Sequence, residues 1–224
     1  MCGRYALTVE PDVLQALFAL KLLAAYDPRY NLAPSQEAPV VIDRGGERTA
    51  ETMRWGLVPS WSKDPKIAYR TINARSETAA AKPSFRSAFK RRRCLIPASW
   101  FYEWKREGKD KIPFRIRRRD ERPLVFAGLW EHWKGTNEDP PRTTFTILTT
   151  DANDDLEGLH DRMPCLLEEE DFDRWLTTQV EDEEAVQRLL RPAPSGTLLT
   201  DRVSTRVNNV RNEGSDLITP DTLF

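Results

Sequence analysis

The stretch from residue 94 to residue 149 constrains the fold most. Four segments of β character follow one another there, at 94–104 (CLIPASWFYEW), 113–118, 124–128 and 143–149. All are rich in aromatic and branched residues. Gly108 marks a turn after the first, and a polar loop over 135–141 precedes the last. Upstream, residues 3–9, 39–43 and 49–55 read as further strands, with Gly45-Gly46 as the turn between the last two. Residues 197–200 and 203–207 read as a final strand pair, and 27–38 as a Pro-rich loop. Helical periodicity is confined to the margins. Pro11-Asp12 opens a helix with an apolar face of Val13, Leu14, Ala16, Leu17 and Leu20. The stretch TINARSET, at 71–78, enters an alanine-rich helix. Residues 168–177 and 181–191 read as acidic amphipathic helices that bury Phe172, Trp175, Leu176 and Val186, Leu189, Leu190. Many short strands with edge helices predict an α+β fold with a curved, barrel-like, mostly antiparallel sheet. A chain of 224 residues suits one such domain, expected over 2–208 with a C-terminal tail at 209–224.

Charge narrows the partners. The formal net charge is −1, yet residues 65–119 hold 17 Lys/Arg against 4 Asp/Glu, while residues 151–190 hold 3 Arg against 14 Asp/Glu. The basic block suggests a polyanion partner, and the alternative is that the two blocks attract each other within the fold. No run of about 18 apolar residues exists to span a membrane. The N-terminus lacks the basic-then-apolar pattern of a secretory signal. Cys2, Cys94 and Cys165 form no CxxC pair and are odd in number, which fits reduced thiols in a cytosol-like compartment. No spacing supports a metal site, and no cofactor is expected.

Two positions carry candidate chemistry on their own. If Met1 is removed, Cys2 presents an α-amine and a thiol on one residue. Their ordinary pKa values, about 7.7–8.0 and about 8.5, leave a useful fraction of amine unprotonated near neutrality. An amine condenses with an aldehyde to an imine, and the neighbouring thiol can close on it to a thiazolidine. Glu103 sits among Trp100, Phe101, Tyr102 and Trp104. Strand alternation either turns it to solvent or buries it with a raised pKa. Trp61, on the polar loop 56–65, suggests a contact surface.

Eight blocks then carry a resemblance: MCGRY at 1–5, RYNLAPSQ at 29–36, MRWGLVPSW at 53–61, INARSET at 72–78, RRRCLIPASWFYEW at 91–104, FAGLWE at 126–131, ILTTDAN at 147–153 and HDRMP at 160–164. Together they resemble the SOS response-associated peptidase (SRAP) family, whose members shield abasic sites in single-stranded DNA. The resemblance implies Cys2 as the covalent nucleophile toward the ring-opened sugar aldehyde. Asn73 would position it, and Glu103 and His160 would move protons. Arg75 would hold a phosphate, with Arg4 and Arg162 in the same cleft, and Asn31, Pro34, Trp55 and Trp61 would hold or stack on flanking DNA. Two positions depart from the family pattern: Trp100 stands where glycine is common, and Ser62 follows Trp61 where some relatives have a second aromatic.

The expected activity is thiazolidine capture of abasic single-stranded DNA, with single-strand/double-strand junctions among its targets. It brings with it self-removal of Met1 and a lyase-type side reaction. The protein would work as a monomer, in the cytoplasm by the nucleoid or in a nucleus. Two alternatives stay open: a cysteine peptidase with an N-terminal nucleophile, and a non-covalent single-strand-binding module, for which a basic groove with exposed aromatics suffices.

Overall fold

The computed structural model describes residues 2–177 and 183–220. Five strands close into a barrel: β3 (Glu37–Asp43), β4 (Arg48–Trp55), β6 (Arg93–Ala98), β9 (Leu124–Trp133) and β10 (Arg142–Asp151). Their order is β10-β4-β3-β6-β9, and β9 pairs back onto β10. Every neighbour is antiparallel except β4 and β10, which run parallel through Arg54–Thr144 and Trp55–Phe145. Gly128 shows how tightly β9 passes β6. A Cβ there would lie 2.4 Å from Ile96 Cδ1 and 2.8 Å from Cys94 Sγ.

The second half of β10 positions the site. There β5 (Asn73–Arg75) pairs with it in parallel, and β11 (Arg162–Pro164) pairs antiparallel. Ile147 faces Asn73, Thr149 faces both Arg75 and Pro164, and Asp151 faces Arg162. One strand thus collects residues from two distant segments.

A second, fully antiparallel sheet has the order β12 (Leu198–Arg202), β8 (Asp110–Arg118), β7 (Trp100–Glu107), β1 (Tyr5–Leu7), β2 (Arg29–Leu32). Its two faces differ. Tyr5, Leu7, Phe101 and Ile116 join the main core. Ala6, Trp100 and Tyr102 point the other way and are covered by Val203 and Val207. Tyr5 meets Trp55 edge-on at 5.2 Å between ring centroids, and Trp55 stacks on Phe145 at 6.3 Å. These contacts fuse the sheet to the barrel. The described helices are short and peripheral: α1 (Pro11–Leu17), α2 (Ser76–Ala79), α3 (Arg86–Arg91), α4 (Phe172–Leu176) and α5 (Glu183–Gln187).

The expected α+β class with a curved, barrel-like sheet holds, with local corrections. The loop expected at 27–38 contains β2 and the start of β3, because residues 29–32 complete the sheet beside β1. Residues 203–207 form no strand. A 3-10 turn at Thr205–Asn208 lets Val203 and Val207 cap the aromatic face. Val13 is 46% exposed and does not join the buried side of α1. The acidic stretch at 168–177 begins as a 3-10 turn, Glu169–Asp171, before α4. Part of the helix expected at 181–191 lies outside the described residues. Beyond Asn208 the chain packs on the domain: Leu217 is buried, and Glu213 accepts from the Tyr30 backbone N–H and from Arg29. Among the described residues no helix is long and apolar enough to cross a membrane.

Candidate active site

Cys2 enters the site through β1, whose neighbours are β2 and β7. The Arg4 carbonyl accepts from the Tyr102 N–H at 2.9 Å, which sets residues 2–4 alongside Glu103. From the barrel side, Asn73 Nδ2 donates to the Cys2 carbonyl at 2.7 Å. Asn73 Oδ1 is buried and has no hydrogen-bond partner among the described residues. The Cys2 thiol is fully buried, 3.7 Å from the Arg4 carbonyl. Burial first, and the Glu103 charge second, push its pKa far above the ordinary thiol range. The thiolate is essentially absent at neutral pH.

Glu103 belongs to the core-facing side of β7 and is only 4% exposed. Burial pushes its carboxyl up to about 7, and the charge of Asp161 adds to the rise. Of the two orientations that alternation allowed, the buried one is realised. A carboxyl titrating near neutrality can both take and give a proton.

His160 precedes β11. Its Nδ1 accepts the Arg162 backbone N–H at 2.9 Å and lies 3.0 Å from Asp161 Oδ1. One nitrogen cannot accept the amide proton and donate to the carboxylate at once. Burial, the leading influence, lowers the ring's pKa. The neutral ring with its proton on Nε2 satisfies both facts, so Nε2 is the nitrogen that carries the proton.

Cys2, Asn73 and Glu103 therefore converge where the two sheets meet, with His160 tied in through Asp161. The other expected contacts divide. Arg75 is exposed at the end of β5, Pro34 is half-buried, and Trp61 is 60% exposed. These three are open to a ligand. Trp55 is not. It is 2% exposed, donates from Nε1 to the Ile72 carbonyl at 2.8 Å and packs in the core. Asn31 is fully buried, and its amide holds the Val207, Asn209 and Asn212 carbonyls, so it anchors the C-terminal segment. The Arg162 guanidinium is taken up by Glu77 at 2.7 Å, Asp151 at 2.5 Å and the Thr149 carbonyl at 2.7 Å, which locks β11 beside β10. Arg4 is buried, donating to Asn31 Oδ1 at 2.6 Å and to the Val207 carbonyl at 3.0 Å.

Three residues at the site were not singled out as functional from sequence: Tyr5, Glu77 and Asp161. The Tyr5 hydroxyl is buried without a hydrogen-bond partner among the described residues. Burial and then the Cys2 thiol raise its pKa. All three lie inside the quoted blocks, at MCGRY, INARSET and HDRMP.

The charge asymmetry resolves both ways. Arg118 pairs with Glu168 at 2.7 Å, and buried Arg93 donates to the Trp175 and Thr177 carbonyls at the end of α4. Those bonds join the basic block to the acidic one. Lys66, Arg70, Lys82, Arg86, Lys90 and Arg91 stay exposed.

The family model for the SOS response associated peptidase (SRAP) matches residues 1–210. The chain is 42% identical over 222 residues to the abasic site processing protein YoqW of Bacillus subtilis, across 97% of this chain and 99% of that one. It is 35% identical over 227 residues to the abasic site processing protein HMCES of Gallus gallus, across 87% of this chain and 67% of that one. A crystal structure of a Bacteroides thetaiotaomicron protein matches its fold with a TM-score of 0.88 at 23% identity, over 99% of this chain and all of the other.

Proposed function

This chain belongs to the SOS response-associated peptidase family, and on that premise we propose that it captures abasic sites in single-stranded DNA as a covalent adduct of Cys2. The observation that carries the reading is the bond from Asn73 Nδ2 to the Cys2 carbonyl, which fixes Cys2 beside a carboxyl that titrates at about 7.

The chemistry balances without any oxidant. The abasic sugar opens to an aldehyde, for which His160 Nε2–H can protonate the departing ring oxygen. Once Met1, which lies outside the described residues, is gone, the Cys2 α-amine adds to the aldehyde carbon. The adduct loses water to an imine, and Glu103 supplies the proton that carries the hydroxyl away. The sulfur then adds to the imine carbon, its proton passes to the nitrogen, and the thiazolidine closes with one water released overall. The high thiol pKa sets the order: the amine attacks first, and the sulfur closes the ring only when the imine is beside it. The reverse steps release the site. Loss of a β-phosphate from the imine is the lyase-type branch.

The same thiol argues against a peptidase acting on other proteins, which needs a thiolate nucleophile. Removal of its own Met1 is the only peptide cleavage the proposal includes.

The test is the intact mass of the Met1-processed protein after incubation with an abasic single strand. The expected product is protein plus strand minus one water. Cys2→Ala should still bind the strand yet give no heat-stable adduct. A wild-type level of adduct from Cys2→Ala would refute the proposal. Equal affinity for intact and abasic strands with no covalent product would leave a non-covalent module. Cleavage of added peptides that is lost in Cys2→Ala would favour the peptidase.

A further inference from the structure

We infer that the cavity between Arg4, Trp104, Arg106, Lys111 and Asn208 holds a backbone phosphate of the strand on one side of the captured site. The inference rests on the capture reading above and adds a binding site to it. The cavity measures about 470 Å³ and has no acidic residue in its lining.

Three features point to an anion. Arg4 is more than nine-tenths buried, yet it hydrogen-bonds only to neutral oxygens, and the Glu213 carboxylate acts on it from beyond ion-pair distance. A buried cation with no direct ion pair is costly. Arg106 and Lys111 sit directly opposite each other in the β7–β8 pairing. Like charges so placed repel, and neither side chain has an ion-pair partner among the described residues. Trp104 stiffens the wall between them. Its Nε1 donates to Asn208 Oδ1 at 2.6 Å, and the Arg4 guanidinium packs over its ring at 5.7 Å. An oxyanion between the three cations would relieve both the unpaired charge and the repulsion.

The neighbouring arginine cleft is a useful contrast. It is lined by Arg115, Arg117, Arg118 and Arg122, one cation more than the first cavity. Those charges are already matched by Asp201, Asp120 and Glu168. Charge left over, not the number of arginines, singles out the first cavity.

Its position suits a strand that leaves the site round the end of β1. Arg4 is two residues from Cys2, and Trp104 follows Glu103 on β7, past the pairing with β1 and on the face that Tyr102 shares. At about 3.3 Å per residue, Arg106 stands about 10 Å along β7 from Glu103, within a few nucleotides of a sugar held at Cys2.

The experiment compares the wild type, R106A/K111A and a charge-matched control, R174A/R191A, which removes two exposed arginines elsewhere. The probe is a single strand carrying a reduced abasic sugar, which has no aldehyde and reports binding alone. The expected result for R106A/K111A is at least a tenfold loss of affinity at low salt. The slope of log K against log salt should flatten by about 0.7, the value for one lost phosphate contact on a single strand. Its melting temperature should hold or rise, since a repulsive pair is gone. Trimming the strand back to the lesion on one side should erase the difference from wild type, and trimming the other side should preserve it. Wild-type affinity and slope in R106A/K111A, an equal loss in the control, or a loss that survives both trimmings would overturn the inference. Adduct formation on the unreduced strand is scored separately. Failure there by the wild type counts against the capture reading, while the slope still judges the pocket.

Discussion

Glu103→Gln tests the electrostatics on which the proposed chemistry depends. The folded carboxyl titrates at about 7 against an ordinary 4.5. That gap of about 2.5 units, at 1.36 kcal/mol each, corresponds to roughly 3 kcal/mol. The sign follows from proton counting. Below pH 4.5 both the folded and the unfolded chain hold the proton. Between 4.5 and about 7 the unfolded chain has released it while the folded chain keeps it, so stability falls as pH rises. Above 7 both are ionised and the loss is complete. Glutamine never ionises. The stability of E103Q minus that of wild type should therefore grow by roughly 3 kcal/mol from pH 4 to pH 8, whatever constant offset the altered hydrogen bonding adds. Urea unfolding followed by tryptophan fluorescence at each pH measures the difference. In thermal melts it should amount to about 6–12 °C for a chain of this length. A difference flat to within about 1 kcal/mol over that range would refute the assignment of a buried carboxyl with a raised pKa. In the same variant, single-turnover adduct formation at neutral pH should slow by about 10²–10⁴.

The two tryptophans should separate in opposite assays. Trp61→Ala is expected to weaken single-strand binding by about 1–3 kcal/mol without moving the melt, while Trp55→Ala should cost about 3–5 kcal/mol of stability; titration and denaturation of both variants check this. Arg93→Met leaves the Phe89 carbonyl, which Arg93 holds at 2.8 Å, and the carbonyls closing α4 without their donor. It should lose about 1–3 kcal/mol by urea unfolding, and an unchanged midpoint would refute that role. Gly128→Ala forces a methyl against Ile96 and Cys94 and should cost about 1–3 kcal/mol by the same measurement.

What could be read from the chain, and what could not, follows from which contacts are local. The barrel strands announce themselves because each carries its own apolar residues and turn signals. β2 hides because Pro28 and Pro34 bracket a strand with few apolar residues, and its Asn31 is buried by bonds to carbonyls near the other end of the chain. Val203 and Val207 read as strand in the sequence because two valines four apart fit a strand face as well as a helical turn. Glu103 could not be oriented from alternation, since β7 is covered on both sides: Phe101 faces the main core, and Trp100 and Tyr102 face Val203 and Val207. The first half of β7, Trp100 to Glu103, has no wet face and so offers no polar side against which to place a carboxylate. The cations make the same point. By residue type Arg93, Arg118 and Arg162 are as good phosphate ligands as Arg75, Arg106 and Lys111. The first three are withdrawn by partners that the fold delivers from far along the chain, as Glu77 comes to Arg162 across 85 residues. Sequence gives the kinds of charge available, while strand pairing decides which of them remain for a ligand. The charges left without an internal partner, beside Cys2 and Glu103, are therefore where a DNA strand should be sought.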